Sequence, residues 1–317
     1  MNLLTIVVPT YNRREAVIFN SIKLIESGIL SKVNYLVLDN ASPDGTYEHL
    51  SSLFQNIDNA TVKRNDSNLG FFGNFLKCFE EARTKFILIS SDEDEVIAEN
   101  IEFYLDYLEE YNPAFSSSVV LKEVDNKTVV HKGQESKRKI SISELRSSCF
   151  YASGLGFKRN EAGKYINAIK EHQDNEMVFL YPMLALCSIL LAKNSDCLWF
   201  DQPLHKMKYI LPTEIRTSSG SKHYHLESRV KQMRGYKNFI DEAATTASSN
   251  EEKHIYRELI LQHYTDFFSL IRHALRQEED GDIIRCVDNA GMKFYFRMLI
   301  KDILKGKFKE ILKKIRR

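Results

Sequence analysis

The segment Phe86-Ile87-Leu88-Ile89-Ser90-Ser91-Asp92-Glu93-Asp94-Glu95-Val96-Ile97 joins a short apolar run to four consecutive acidic residues. The apolar run predicts a buried strand. The acids then follow the carboxyl end of that strand, where open α/β sheets place their ligands. Because carboxylate oxygens suit hard cations, Asp92 and Asp94 are candidate ligands for Mg²⁺ or Mn²⁺. A solvated acidic turn is the alternative, since acidic residues also accumulate in loops.

Length and composition place the chain among ordinary globular proteins. Its 317 residues are 43% hydrophobic, which predicts one large domain or one domain with an appendage. The net charge of +1 gives no global attraction to nucleic acid, so no nucleic-acid partner is expected. The basic charge is concentrated at one end: residues Lys301 to Arg317 hold eight Lys or Arg and two acids, a local charge of +6.

Cysteine usage and hydropathy favour a cytoplasmic protein. The five cysteines are odd in number and widely spaced, which predicts neither a disulfide framework nor a zinc site. The chain enters a strand at once, so no secretory signal is predicted. Its longest apolar run, Met177 to Ala192, is broken by Tyr181 and Pro182 and is too short for a membrane-spanning helix.

The first hundred residues repeat a unit of strand, polar loop and helix. Alternation of this length predicts an α/β fold with right-handed crossovers and a parallel sheet. The carboxyl ends of parallel strands meet at one edge, so a single pocket can collect all the loops. Turn geometry and helix capping are an alternative explanation for single residues such as Asp44 and Asn68. The polar loops are Thr10 to Arg13, Asp39 to Asp44, Asn65 to Gly70 and Asp92 to Glu95.

The order of these motifs resembles the family 2 glycosyltransferases, inverting GT-A-fold enzymes that take sugars from nucleotide-diphosphate donors. The resemblance is strong over residues 3 to about 105, weaker over 150 to 210, and absent beyond about 225. It rests on four stretches of sequence: Thr5 to Arg13, Leu38 to Thr46, Asn65 to Gly70, and Asp92 to Val96.

The resemblance implies a nucleotide-sugar site, with a UDP-sugar as the expected donor and Mn²⁺ or Mg²⁺ as the cofactor. Asp39 would meet the base and Asp92 the ribose, while Asp94 would bind the metal with Asp92. His205 lies near the position where some relatives have a histidine that completes the metal shell. The predicted nucleotide-sugar-binding residues are Pro9, Thr10, Tyr11, Asn12, Arg13, Asp39, Asn40, Ser42, Asn68, Gly70, Asp92 and Glu93.

The catalytic base is where the sequence departs from the family. Relatives usually carry a Glu-Asp pair at the start of a helix past the middle of the chain, whereas the matching helix here begins with Tyr181-Pro182. Asp174 and Glu176 lie just upstream and are the candidate bases, although each could instead be a solvated loop acid. By the same resemblance Gly154 and Tyr181 are predicted to face the acceptor.

The predicted domain organisation is a GT-A domain over residues 1–222 followed by a helical region over 223–317. Residues 1–105 would bind the donor and 106–222 the acceptor. Lys122 to Lys139 is polar and aperiodic, which predicts an exposed excursion without chemistry. His223 and His225 are predicted to lie on a surface loop, since two alternate histidines rarely hold a metal alone.

The resemblance further implies a lipid-linked oligosaccharide acceptor, as in bacterial capsule or O-antigen synthesis. The helix predicted from Met292 has an apolar face and a basic face, which suits peripheral binding to anionic lipid at the inner face of the plasma membrane or packing on the core. Two alternatives remain open: a catalytically silent nucleotide-sugar-binding subunit, and a sugar nucleotidyltransferase. The second usually has a glycine-rich basic loop after its first strand, which this sequence lacks.

Overall fold

The computed structural model describes residues 2–124, 127–133, 138–193, 195–207 and 226–277. Within them the strands are β1 (Leu4–Thr10), β2 (Asn34–Asp39), β3 (Ala60–Arg64), β4 (Phe86–Ile89), β5 (Glu95–Val96), β6 (Phe115–Val124), β7 (Lys127–Lys132), β8 (Leu155–Lys158) and β9 (Cys197–Met207). The α-helices are α1 (Arg14–Glu26), α2 (Thr46–Phe54), α3 (Gly70–Glu81), α4 (Ile101–Tyr111), α5 (Leu145–Cys149), α6 (Arg159–Glu171), α7 (Glu176–Leu180), α8 (Pro182–Ala192), α9 (Leu226–Thr245) and α10 (Asn250–Gln277). The basic helix predicted from Met292 and the His223 and His225 pair lie outside the described residues.

The strands form one mixed sheet in the order β3-β2-β1-β4-β8-β6-β9-β5, with β7 paired to β6. The first four strands are parallel to one another. Strand β8 lies antiparallel between β4 and β6, while β9 runs parallel to β6. The prediction of an α/β fold with a largely parallel sheet is therefore confirmed. The carboxyl ends of β1, β2, β3 and β4 share one edge.

Helices cover both faces of the sheet, which explains why its central strands are apolar throughout. All of β4 is buried, and its alternate residues enter different cores. Ile87 and Ile89 pack in the cluster that contains α3, α6 and α8, whereas Phe86 and Leu88 pack in the cluster that contains α1 and α4.

The helices after residue 225 pack on the first of these cores. Met233, Tyr236 and Phe239 of α9 and Tyr256 of α10 are buried in the same cluster as Leu186 of α8. This packing accounts for the amphipathic pattern of the region as far as it is described. In those ranges no helix combines the length and the apolar character needed to cross a bilayer.

The prediction of an exposed excursion from Lys122 to Lys139 was wrong in part. Strands β6 and β7 form a hairpin here, with Lys122 opposite Val129. Lys127 to Val130 are exposed, as predicted, but Lys132 is only 3% exposed and points inward. The charged composition obscured a strand whose β-branched residues, Thr128 and Val129 among them, favour β-structure.

Candidate active site

The first polar loop contacts the acidic loop after β4. Thr10 Oγ1 donates a hydrogen bond to Asp92 Oδ2 over 2.7 Å, and the Arg13 guanidinium lies 3.1 Å from Asp92 Oδ1. Arg13 also forms an ion pair with Glu93. Asn20 on α1 donates to the Asp92 carbonyl over 2.9 Å. Residues some 80 positions apart are thus joined at the sheet edge.

Burial and the Arg13 cation act in opposite directions on the two acids. Burial raises the pKa of Asp92, and Arg13 and Thr10 offset part of that rise. The pKa of Glu93 is also raised, because burial and the negative charges of Asp92 and Asp94 outweigh the attraction of Arg13. A bound cation or a further hydrogen-bond donor would stabilise both carboxylates in their charged form.

The loop after β2 is built around Asp39, which is fully buried. Its carboxylate accepts hydrogen bonds from the Ser42 backbone N–H over 3.2 and 3.3 Å, and Arg64 at the end of β3 lies 3.6 Å away. Ser42 Oγ in turn accepts from the backbone N–H of Asn12 over 2.8 Å. The loops after β1, β2 and β3 are thereby joined.

A cluster of asparagines joins the third loop to the second. Asn40 donates to Asn68 Oδ1 over 2.8 Å and accepts from Asn65 over 2.9 Å. Asn68 Oδ1 also accepts from the backbone N–H of Gly70 over 2.8 Å, at the start of α3. The amide side chains therefore fix the loop in front of that helix. Asn65 was not among the predicted site residues.

Two residues of these loops have positive φ although they are not glycine. Asn12 has φ of 54° and Ala41 has φ of 61°. Such backbone is costly for alanine, so the surrounding contacts must hold it in place. Of the remaining predicted residues, Pro9 lies within β1 opposite Leu38, and Tyr11 is 44% exposed.

Asp94 has different partners from Asp92. It is 1% exposed, and its Oδ2 accepts hydrogen bonds from the Tyr151 hydroxyl over 2.7 Å and from Ser153 Oγ over 2.5 Å. Ser153 Oγ also accepts from the Ser91 backbone N–H over 2.8 Å. The loop before β8 therefore orients Asp94. Sequence reasoning noted that loop only as a segment beside the acceptor.

Lys132 reinforces the same loop and was missed from the sequence. Its ammonium donates to the Ser153 carbonyl over 2.8 Å and approaches the Tyr151 carbonyl at 3.4 Å. Burial lowers the pKa of Lys132 to about 7, while the carboxylate of Asp94 acts in the opposite direction. Lys132 thus places positive charge near Asp94 by way of the main chain that holds it.

His205 lies on β9 and pairs with Val96 of β5. Val96 follows Asp94 by two residues in the chain. His205 is fully buried, and neither ring nitrogen has a hydrogen-bond partner among the described residues. Burial and the nearby Lys132 lower its pKa to about 3, so the ring is neutral, the form that binds metals.

A buried imidazole without a hydrogen-bond partner, on the strand that pairs with the end of the acidic loop, suits a divalent cation as a ligand. Among the described residues, no three His, Cys, Asp or Glu side chains converge on a common point. A cation held by Asp94 with one of the other predicted ligands, Asp92 or His205, would therefore take its remaining ligands from the donor phosphates and water.

Gly154 follows Ser153 and has φ of 80°. A Cβ at this position would collide with Ser118 Oγ on the adjacent strand β6. The positive φ and the nearby Ser118 side chain therefore favour glycine here. The Ser118 backbone N–H donates to the Gly154 carbonyl over 2.9 Å, which holds the Asp94-binding loop against the sheet. This explains the glycine without reference to an acceptor.

The two candidate bases have different surroundings. Asp174 is exposed, whereas Glu176 is half-buried in the first turn of α7 and accepts a hydrogen bond from Ser228 Oγ of α9. Tyr181 links α7 to α8, and its hydroxyl lies 3.5 Å from the Arg229 guanidinium. The glutamate and the tyrosine thus both lie beside α9.

Comparisons with solved structures give the same fold. A structure of S. aureus TarS residues 1–349 matches with a TM-score of 0.59 at 14% identity, covering 89% of this chain and 76% of that one. The same S. aureus protein in complex with UDP-GlcNAc matches with a TM-score of 0.57 at 13% identity, covering 84% and 73%. The Pyrobaculum calidifontis mannosyltransferase PcManGT, in complex with GDP-Man and Mn²⁺, matches with a TM-score of 0.52 at 12% identity, covering 95% and 85%.

Sequence comparison identifies the family. No curated protein matches the chain significantly. The family model described as glycosyl transferase family 2 matches residues 5–169, which is more than half of the chain. This range contains β1 to β4, the acidic loop and the Tyr151 to Gly154 segment that contacts Asp94. The protein belongs to glycosyl transferase family 2.

Proposed function

We propose that this nucleotide-sugar-dependent glycosyltransferase is a metal-dependent, inverting enzyme that transfers a sugar to a hydroxyl of a glycan acceptor. The observation that carries the proposal is the pair of differently held carboxylates at the end of β4. Asp92 is bonded to the loops of the donor half, and Asp94 to the loop before β8. Residues 1–105 would bind the donor and 106–222 would present the acceptor.

On the donor side, the chain's residues would bind and orient the nucleotide. Asp39 would accept hydrogen bonds from the base and Asp92 from the ribose, and the loops that hold them are already joined by Arg13, Ser42 and Asn40. Asp94, together with Asp92 or His205, would hold Mn²⁺ or Mg²⁺, which when bound neutralises charge on the leaving diphosphate. A UDP-sugar is the first donor to test.

On the acceptor side, the acceptor hydroxyl oxygen would bond to the anomeric carbon as the bond to the nucleoside diphosphate breaks. A base must take the hydroxyl proton. Glu176 is favoured over Asp174, because its half-buried carboxylate is oriented by Ser228 whereas Asp174 is exposed. Tyr181 and the main chain at Gly154 are the candidates for contact with the acceptor.

The direct test is release of nucleoside diphosphate from a panel of nucleotide sugars in the presence of Mn²⁺. A thermal-shift screen of the same panel would select the donor first, since a bound ligand stabilises the fold by mass action. Release of diphosphate supports the proposal. A selective thermal shift without turnover against any glycan acceptor would indicate the silent binding subunit, and pyrophosphate release from a nucleoside triphosphate would indicate the nucleotidyltransferase.

The acceptor is proposed to be a lipid-linked glycan of a bacterial surface polysaccharide, reached by peripheral binding at the inner membrane face. Support comes from the local charge of +6 over Lys301 to Arg317. Each basic group contributes about 1 kcal/mol near an anionic leaflet, and this attraction is screened by salt.

The protein should co-sediment with anionic but not zwitterionic vesicles. Replacing Lys313, Lys314, Arg316 and Arg317 with glutamine should abolish binding and leave diphosphate release intact. Binding that survives these changes and high salt would contradict the membrane role.

A further inference from the structure

A cavity of about 90 Å³ is lined by residues on or next to helices α5, α7, α8 and α9. It has room for a group of several non-hydrogen atoms. Phe150, Met177 and Leu184 supply apolar walls, while Arg146 of α5 and Arg229 of α9 supply two guanidinium groups. Tyr181 completes the lining. An apolar pocket that contains a few convergent polar groups is the usual form of a ligand site.

The charge in this cavity is predominantly positive. Burial lowers the pKa of Arg146, the carboxylate of Asp266 offsets part of that change, and the positive charge of Arg229 adds a smaller lowering. Asp266 also accepts a hydrogen bond from Gln262 over 2.9 Å. Two arginines therefore lie close together in this cavity. A ligand with negative charge would relieve their mutual repulsion.

Arg229 is held in a defined position by polar neighbours. Its guanidinium donates to Gln232 Oε1 over 3.0 Å and lies 3.5 Å from the Tyr181 hydroxyl. Gln232 donates to Ser228 Oγ over 3.1 Å, and Ser228 donates to Glu176. The cationic group and the candidate base therefore belong to one hydrogen-bonded chain of side chains. Such preorganisation favours bidentate binding of an oxyanion by arginine.

Two residues that line the cavity are chain neighbours of candidate active-site residues. Phe150 is followed in the chain by Tyr151, which binds Asp94, and Met177 follows Glu176. The cavity is thus connected to the candidate base Glu176 by hydrogen bonds and is lined by the acceptor candidate Tyr181. The predicted contacts of the nucleotide lie elsewhere, at the ends of β1, β2 and β3.

We propose that this cavity binds an anionic group of the acceptor, a phosphate or a carboxylate, through Arg146 and Arg229. The proposal rests on the proposed function, because it assigns the chemical class of the acceptor of that reaction. It selects phosphorylated or acidic glycans over neutral ones. Removal of either arginine would leave the donor site intact, since Arg146 and Arg229 lie on helices away from the strand-end loops.

The test measures the thermal stability of the full chain with inorganic phosphate, glucuronate or glucose, each against sodium chloride of equal ionic strength. At about ten times the dissociation constant, the anion should raise the midpoint by about 2 °C or more, and glucose should not. A shift with phosphate alone would identify a phosphate site, and a shift with glucuronate alone would identify a carboxylate site. Shifts with both ligands would show that the site recognises the oxyanion chemistry that they share. An equal shift with sodium chloride would overturn the proposal on the wild-type protein alone.

The variants locate the response. Arg146→Gln with Arg229→Gln should lose the anion shift, while Arg234→Gln should keep it, because Arg234 lies on the same helix α9 and is exposed. Arg229→Lys keeps the charge without the planar fork and should weaken binding about tenfold. This single variant also tests the proposal if the double variant does not fold. An anion shift that persists in the double variant, or is unaltered by Arg229→Lys, would overturn the proposal.

A final pair of measurements separates this site from the donor site. Asp94→Asn should keep the anion shift although it loses donor turnover, and Arg146→Gln with Arg229→Gln should keep the wild-type affinity for the nucleotide sugar. If that affinity falls together with the anion shift, the cavity belongs to the donor site and the proposal is wrong. If diphosphate release fails in the wild type while the anion shift remains, the proposed function is wrong and the anion site stands.

Discussion

Around Asp92, positive and negative side chains lie in direct contact, whereas the cavity between α5 and α9 brings two arginines together. The strand-end loops are joined by hydrogen bonds of 2.7 to 3.3 Å between side chains and turns. The cavity is formed by helix packing. The proposed donor region is thus organised before any ligand arrives, while the proposed acceptor region contains two arginines to which an anionic ligand would bind.

The largest effect on activity is expected from a change at Asp94. Asp94→Ala should lower turnover about a thousandfold or more, because it removes a ligand to the cation that offsets the diphosphate charge. Excess chelator should do the same to the wild type. Rates are measured by diphosphate release. Glu95→Gln is the matched control within the same acidic run, because Glu95 pairs with Lys23 on α1, and it should retain most activity. Full activity of Asp94→Ala would remove the metal role.

The second test compares the candidate bases of the acceptor region. Glu176→Gln should lower turnover about a hundredfold with little change in donor affinity, because the amide cannot take the acceptor proton. Asp174→Asn provides the control at an exposed position nearby. Steady-state rates and donor titrations distinguish the two effects. Normal turnover in both variants would place the base elsewhere or favour the silent subunit.

A third test measures how much the contact between Gly154 and Ser118 contributes to the stability of the fold. Gly154→Ala should destabilise the fold by about 2 kcal/mol or more, since it adds a Cβ at positive φ against Ser118. Gly163→Ala within α6 is the matched control, because its added Cβ meets nothing within 4 Å and alanine favours helix. Urea unfolding of both variants measures the difference. Equal stability of the two would show that the close approach at Gly154 is not maintained.

The smallest effect concerns the pH response of the helical region. His263 of α10 stacks on Tyr236 of α9 with ring centroids 3.9 Å apart, and burial keeps its pKa well below 6.5. A folded-state pKa below the unfolded value means that the unfolded chain binds the proton more readily. The free energy of unfolding should therefore fall as pH decreases below about 6.5, by up to about 1.4 kcal/mol per pH unit.

His263→Phe keeps an aromatic ring against Tyr236 but cannot bind a proton. Urea titrations at pH 7.5 and 5.5 should show a smaller loss of stability for the variant than for the wild type. His205 remains in both proteins, so the difference between them isolates His263. An identical pH dependence would mean that His263 does not titrate on unfolding.

The sequence predicted the convergence of the strand-end loops better than the contacts around Asp94 and the cavity, for a physical reason. Asp39, Asn68 and Asp92 each follow a strand within a short motif, so local order along the chain also determines their place at the sheet edge. Lys132 and Arg229 make their contacts with residues 21 and 48 positions away. No local periodicity encodes such contacts. Only the antiparallel insertion of β8 and the packing of α9 bring them to the site.

The position of β8 has a consequence during synthesis. Strand β4 can join β1 as soon as both leave the ribosome, but its other edge stays open until β8 emerges about 66 residues later. At typical translation rates that interval is about 3 to 13 seconds. An apolar strand edge exposed for this time can pair with another nascent chain. Slower translation through residues 90–155 should therefore lower the soluble yield, and binding of β4 by a chaperone should restore it.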